Sequence, residues 1–342
     1  MKKIFFIGIF IFLFICLNPV FCKSNNYEKW HFKNIENSIP RGTYIKLNDD
    51  KILVTTSQGN NYIYNPSIDK SRQIAKFISY AGLCPKTVAN NGNVIVAPYE
   101  YTPDKKNSQR LVIFNPNTET FNYGARVPFE KIIYILNLND GNLLFIGKAQ
   151  YAIYSPEKNY FFETNNNPID FIEPIILDDG KIISKSKSLN NFIIIDLATK
   201  KYKETLPEKN IIGKYLKLLD GRILYTLTTD SCETSLTLKI YNPKNNETIT
   251  AGEMIIPRLL ASQHFYNMDL LKDGKVLISG GYNCKRSGFF MGDMPENRLE
   301  IFNPITGQSK VLKERQYFIN QQPILLNDSR IFFGYPQRIF EP

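Results

Sequence analysis

Histidine is almost missing from this chain: His31 and His264 are the only two among 342 residues. A zinc site with the usual His and Cys spacing has too few ligands to draw on, so no metal and no cofactor is expected. Gly-x-Ser-x-Gly elbows and Gly-rich phosphate loops are absent, which removes the sequence signatures of serine hydrolases and of phosphate-cradling loops. No segment repeats apolar positions at helical spacing for long enough to make an amphipathic helix. Blocks of like charge are missing too. The 42 Lys and Arg outnumber 32 Asp and Glu, but the excess is spread singly along the chain, which argues against nucleic acid as a partner.

Long apolar runs are equally scarce, with one exception. Met1-Lys2-Lys3 precedes Ile4 to Leu17, and Asn18-Pro19 ends the run. A basic start, an apolar core too short to span a bilayer and a Pro break describe a secretory signal over residues 1–22, leaving residues 23–342 as the mature domain. The protein is therefore expected to be exported: secreted, periplasmic or at the cell surface. Cleavage after Cys22 puts Val20 and Cys22 at the two positions that need small side chains. The other option is a lipoprotein signal with Cys22 lipidated, although Phe21 stands where such signals carry a small residue; only then is a membrane attachment expected. Removing residues 1–22 takes away Lys2 and Lys3 and no acid, so the formal charge falls from +10 to +8. A basic balance favours acidic partners, an envelope component among them.

What the chain has in abundance is one phrase: an apolar residue, a spacer, Asp or Asn, usually Gly, then Lys, Arg or Asn, then two apolar residues. It occurs at 47–53, 89–95, 138–144, 177–183, 218–224, 271–277 and 326–332, and the Gly slots are 42, 49, 39, 41, 53 and 55 residues apart. That period belongs to propeller blades rather than helical solenoids. Asp-Gly or Asn-Gly between apolar runs marks a hairpin, read here as a two-residue turn needing positive φ. Asp50 and Ser329 replace Gly in the first and last copies, so those turns are expected to be of another type or slightly strained.

A second phrase follows each turn: Ile63-Tyr64-Asn65-Pro66, Ile113 to Pro116, Ile153 to Pro156, Ile194 to Leu197, Ile240 to Pro243, Ile301 to Pro304 and Ile339 to Pro342. β-branched and aromatic residues running into Asn-Pro describe a third strand that ends in a turn. A polar fourth strand follows in most units. The expected fold is all-β, a seven-bladed β-propeller with four-stranded antiparallel blades. The seventh unit ends at its third strand, and Asn26 to Phe32 has the length and alternation of the missing one, so the N-terminal strand is expected to close the last blade. The lone Trp30 lies in that segment and is expected to be buried.

Three cysteines remain after residue 22. Cys232 lies 11 residues past Gly221 and Cys284 lies 10 past Gly274, equivalent places on neighbouring blades. A Cys232–Cys284 disulfide is sterically plausible and leaves Cys84 as a thiol.

Leu271 to Gly281 and Leu299 to Gly307 resemble a kelch repeat of the galactose-oxidase type, nearly in full in unit six and by turn and third strand elsewhere. The resemblance implies a kelch-like propeller, a scaffold used both for binding and for catalysis. The copper site of galactose oxidase would need two Tyr, two His and a Cys linked to one Tyr. With His31 and His264 in different settings that centre cannot be assembled, so the propeller is expected to be non-catalytic. Gly280-Gly281 is read as a close packing point, His264 as a structural imidazole, and Glu173, Asp269, Asp293 and Glu296 as solvated or hydrogen-bonded acids.

Loop length points to function. From Gly slot to third-strand Pro slot the units span 16, 24, 15, 17, 22, 30 and 13 residues, so units two, five and six carry the long loops. These share a face with the connections between blades, which makes that face the expected recognition surface. The unit-six loop gathers Lys285, Arg286, Phe289 and Phe290, a combination that suits a protein partner. Tyr99 and Tyr101, flanking Glu100 in the unit-two loop, would suit sugar stacking. The favoured function is an exported, non-enzymatic interaction module binding a protein or envelope component; the alternative is a carbohydrate-binding or carbohydrate-active propeller.

Overall fold

The structure is a computed structural model that describes residues 29–36, 39–76, 84–97, 109–129, 131–148, 150–166, 171–186, 191–205, 211–228, 236–254, 266–282, 296–316, 323–334 and 337–341. Its strands form seven separate four-stranded antiparallel sheets arranged as a seven-bladed β-propeller. Six sheets are meanders in chain order; blade one, for example, runs Thr43–Lys46, Ile52–Thr55, Asn61–Asn65 and Lys70–Ile74. The first strands of blades two to six are Lys86–Val88, Ile132–Asn137, Ile172–Ile176, Ile211–Lys217 and Tyr266–Leu270.

Blade seven is composite. Its first three strands, Ile324–Leu325, Ile331–Gly334 and Gln337–Glu341, come from the end of the chain, and its fourth, His31–Asn34, comes from the beginning. Phe32 lies opposite Phe340, and Lys33 opposite Ile339. The strand starts later than the sequence suggested, so Trp30 sits just before it. Its indole is 4% exposed and meets the Phe340 ring at a centroid distance of 5.4 Å.

Each blade buries one face against the next. Seven apolar clusters fill the seven interfaces: Leu53 and Phe114 join blades one and two, Leu143 meets Leu111 between two and three, and Ile146 meets Ile193 between three and four. Tyr225 packs with Ile183, Leu238 with Val276 and Leu299 with Ile331 at the next three interfaces, and Phe332 with Tyr64 closes the ring. This is why the second and third strands read as continuous apolar runs: both of their faces are covered. Outer strands such as Tyr160–Asn166 alternate exposed and half-buried residues.

The seven repeated turns share one geometry, and it differs from the two-residue hairpin. In each, the N–H of the Gly slot donates to the carbonyl three residues back, as from Gly141 to Leu138 at 3.1 Å, and the apolar residue donates to the carbonyl four ahead, as from Leu138 to Asn142 at 2.9 Å. Positive φ occurs once per turn, at the Gly slot. This is a three-residue loop built on a type I turn followed by one left-handed residue. Asp50 at φ 66° and Ser329 at φ 74° adopt the same conformation as the glycines at 80° to 86°. The first and last turns are therefore of the common type, with a side chain in the left-handed region.

The Asp or Asn just before the Gly slot of each turn has a local task. Its side chain accepts the N–H two residues on, seven times over, from Lys51 to Asp49 through Arg330 to Asp328. In five turns the same basic residue also pairs with it through its side chain, for example Arg222 with Asp220 at 2.7 Å. These cations are thus committed to their own turns, where the sequence alone suggested that any solvated residue would serve. They do not count toward the charge available to a partner.

Candidate functional site

In a four-stranded meander the hairpin turns lie at one end of the blade, and the connections between blades lie at the other, together with those between second and third strands. The first strands of neighbouring blades touch around the central channel. The described residues nearest the loop-bearing mouth of that channel are therefore the leading ends of the first strands and the trailing ends of the second strands.

Four blades converge there on Glu173. It follows Ile172 in the first strand of blade four and precedes Pro174, and the ladder with the second strand shifts register between Ile172 and Ile175. Glu173 itself has φ 50°, a left-handed conformation that an L-residue before Pro adopts only when its surroundings fix it. Its N–H donates to the Tyr134 hydroxyl of blade three at 3.2 Å. The Tyr215 hydroxyl of blade five donates to the carbonyls of Ile172 and Glu173. The carboxylate meets Lys185 Nζ at 2.8 Å and Lys214 Nζ at 2.7 Å. Blade six joins through Tyr266, whose hydroxyl accepts the Lys214 N–H at 3.1 Å and hydrogen-bonds Thr226 Oγ1.

The electrostatics follow from this packing. Burial alone would raise the Glu173 pKa, but the hydrogen bonds and charges of Lys185 and Lys214 outweigh it and hold the carboxyl below its ordinary value. Burial pushes the Tyr215 hydroxyl well above its ordinary value, and Lys185 Nζ lies 5.7 Å from the centre of its ring. The acid is fixed as an anion and the phenol as a neutral donor. The cluster carries one net positive charge on groups already tied to backbone, since Lys185 Nζ also donates to the Gly213 carbonyl at 3.1 Å.

A separate cation lies on blade two. Lys86 opens that blade's first strand, and its amine donates to Thr43 Oγ1 of blade one. Burial pulls its pKa down to about 8, with the neighbouring Cys84 opposing slightly. Burial likewise pushes the Cys84 thiol up to about 11. Cys84 packs in the apolar interface of blades one and two, as expected of a thiol outside any disulfide.

Lys285, Arg286, Phe289, Phe290, Tyr99 and Tyr101 lie outside the described residues, as do Cys232, Cys284, His264 and residues 1–22, read above as a signal. His31 is exposed on the outermost strand of blade seven. Asp269 is buried, and Gly280 lies opposite Tyr266 in the ladder. Sequence reasoning passed over Lys185, Lys214 and Lys86, and read Glu173 only as a solvated or hydrogen-bonded acid. The available signal was Glu173-Pro174 inside a predicted inner strand, a place where Pro and a charge each need a reason.

No protein-family model and no curated protein sequence matches the chain. Solved structures do. A streptogramin B lyase aligns with a TM-score of 0.62 at 12% identity, over 93% of this chain and 99% of that one. A fungal alcohol oxidase of the AA5 family, solved in complex with copper, aligns with a TM-score of 0.66 at 12% identity, over 93% and 77%. Virginiamycin B lyase from Staphylococcus aureus gives 0.59 at 11%, over 91% and 98%. The shared property is the fold. It is a seven-bladed β-propeller. Identity this low carries no activity from the neighbours to this chain.

Proposed function

We propose that the chain is an exported, non-enzymatic binding module of kelch type, and that the loop-bearing face of its propeller takes up a protein or an envelope component with acidic character. The observation that carries this reading is the Glu173 cluster. Its charges are spent on one another and on the Gly213 carbonyl, and tyrosine hydroxyls of blades three, five and six brace it, which suits a rigid rim rather than a proton-transfer centre. General acid–base chemistry is most effective with a pKa near the working pH. Glu173 and Tyr215 are both moved away from that range. Lys86 is the exception: burial lowers its pKa only to about 8, so the amine still carries most of its charge at neutral pH, which favours an acidic partner.

The copper named for the AA5 oxidase has no counterpart in the described residues. No three His, Cys, Asp or Glu gather among them, and His31 stands exposed on an outer strand, so they do not fit such a centre. Kelch character is supported by the motif at Leu271 to Gly281 in blade six, whose Gly274 turn is repeated around the ring. Pull-down from the native envelope fraction, run beside a glycan array, tests the proposal. A specific protein or envelope component bound at the loop-bearing face supports it; glycan binding at that face with no protein partner would favour a carbohydrate module there instead.

A further inference from the structure

The hairpin end of the propeller, opposite the proposed recognition face, carries two grooves of about 530 Å³ each. Their lining is unlike the rest of the surface. Four aromatic side chains are exposed by 40% or more among the described residues: Tyr123, Tyr160, Phe162 and Tyr202. Tyr160 and Phe162 line one groove and Tyr202 the other. An aromatic ring left in water beside a concave polar surface loses the free energy that burial would give, so its placement calls for a ligand that covers it.

The groove at blades two and three carries two of these aromatics. Tyr160 and Phe162, on the outer strand Tyr160–Asn166, are 43% and 46% exposed, with ring centroids 6.0 Å apart. The turn residues Asn91, Asp140 and Asn142 line the same groove. Each is held from one side. Asn91 Oδ1 accepts the Asn93 N–H at 3.1 Å, Asp140 Oδ1 accepts the Asn142 N–H at 3.0 Å, and Asn142 Nδ2 donates to Asp140 Oδ2 at 2.8 Å. That leaves the Asn91 amide nitrogen and the Asn142 amide oxygen as preoriented donor and acceptor.

We propose that this groove binds a neutral saccharide. A pyranose offers an apolar face of C–H groups and a rim of hydroxyls that both donate and accept; exposed rings in the same groove as fixed amides and a carboxylate match both. Charge selects against the acidic sugars, because Asp140 and Glu157 outnumber the single lining cation, Lys158. The size lies within the range of small-molecule sites. This site is separate from the loop-bearing face, so the two proposals stand or fall apart.

The test is saturation-transfer NMR and calorimetry on the purified protein with soluble cello-, xylo-, chito-, manno- and malto-oligosaccharides, and with polygalacturonate as the acidic probe. At least one neutral series should bind, and polygalacturonate should bind more weakly. The Tyr160→Ala, Phe162→Ala double variant should lose at least about tenfold in affinity with an unchanged melting temperature. Tyr202→Ala should leave that affinity as it was. Should the double variant not fold, the two single variants are read in the same way. No neutral oligosaccharide saturating below about 10 mM, tighter binding of the acidic probe, or wild-type affinity in the folded variants overturns the proposal.

Discussion

Asn327 donates its backbone N–H to both carboxylate oxygens of Asp50 at 2.8 Å, tying the last hairpin turn to the first across 277 residues of chain. Lys46 completes the joint: its amine pairs with Asp50 at 3.2 Å and donates to the Leu325 carbonyl and to Asn327 Oδ1. This explains why the first turn keeps an Asp where most of the others keep Gly. The left-handed backbone costs something at Asp50, and the bond across the closure offsets it.

Asp50→Ala should therefore lose about 1–2 kcal/mol, removing the acceptor while keeping a Cβ at positive φ. Asp50→Gly should lose less, because it relieves the backbone. Ser329→Gly should gain about 0.5 kcal/mol, since none of the Asp50 contacts recurs there. Urea unfolding midpoints at constant slope give the order. A Gly variant at position 50 more stable than wild type would mean that the joint contributes nothing.

The composite blade gives a second expectation. Trp30→Ala opens a cavity beside Phe340 and should cost about 3–5 kcal/mol. Deleting residues 25–33 should in addition expose the edge of Gln337–Glu341 and cause aggregation in denaturant melts and light scattering. A deletion that melts like the parent would contradict closure by the N-terminal strand.

Glu173 gives a pH signature. Its pKa is depressed in the folded state, so its contribution is present above the ordinary carboxylate value of about 4.3 and is lost as pH falls through the lower folded value. Glu173→Gln leaves Lys185 and Lys214 without their counter-charge and should cost about 1–2 kcal/mol at pH 7, discounted because the site is about one-third exposed. The gap between variant and wild type should stay level from pH 7 to 5 and narrow below about 4. A gap independent of pH would show that the ion pairs do not stabilise the mouth.

Cysteine chemistry tests the loop register. Non-reducing peptide mapping should find Cys232 joined to Cys284. Cys84, buried with its pKa pushed up to about 11, should resist thiol reagents at pH 8 until the protein unfolds. A pair containing Cys84 would put the loops of blades five and six out of register.

The blades were legible in the sequence because each repeats a turn whose chemistry is local: one residue at positive φ, an Asp or Asn bonding the N–H two on, and apolar neighbours covered on both faces. Even the composite blade could be read, since a lone Trp beside an alternating segment has few other places to go. The turn type was misjudged because Asp-Gly serves both the two-residue hairpin and the three-residue loop, and only the ladder on either side distinguishes them. The Glu173 cluster was not legible. Tyr134, Glu173, Lys214 and Tyr266 are separated by tens of residues, and only the ring brings them together. The same holds for the two grooves, whose aromatics look like ordinary outer-strand residues until their exposure is seen.

The central claim, recognition by the loop-bearing face, is tested most directly by the quadruple variant Lys285→Ser, Arg286→Ser, Phe289→Ser, Phe290→Ser. Its affinity for the partner recovered from the envelope should be measured beside the parent's, with thermal melts as the control for folding. The account predicts that binding is lost while the melting temperature moves by no more than about 3 °C, because a surface loop contributes little to sheet packing. A folded variant that binds with parental affinity would contradict it.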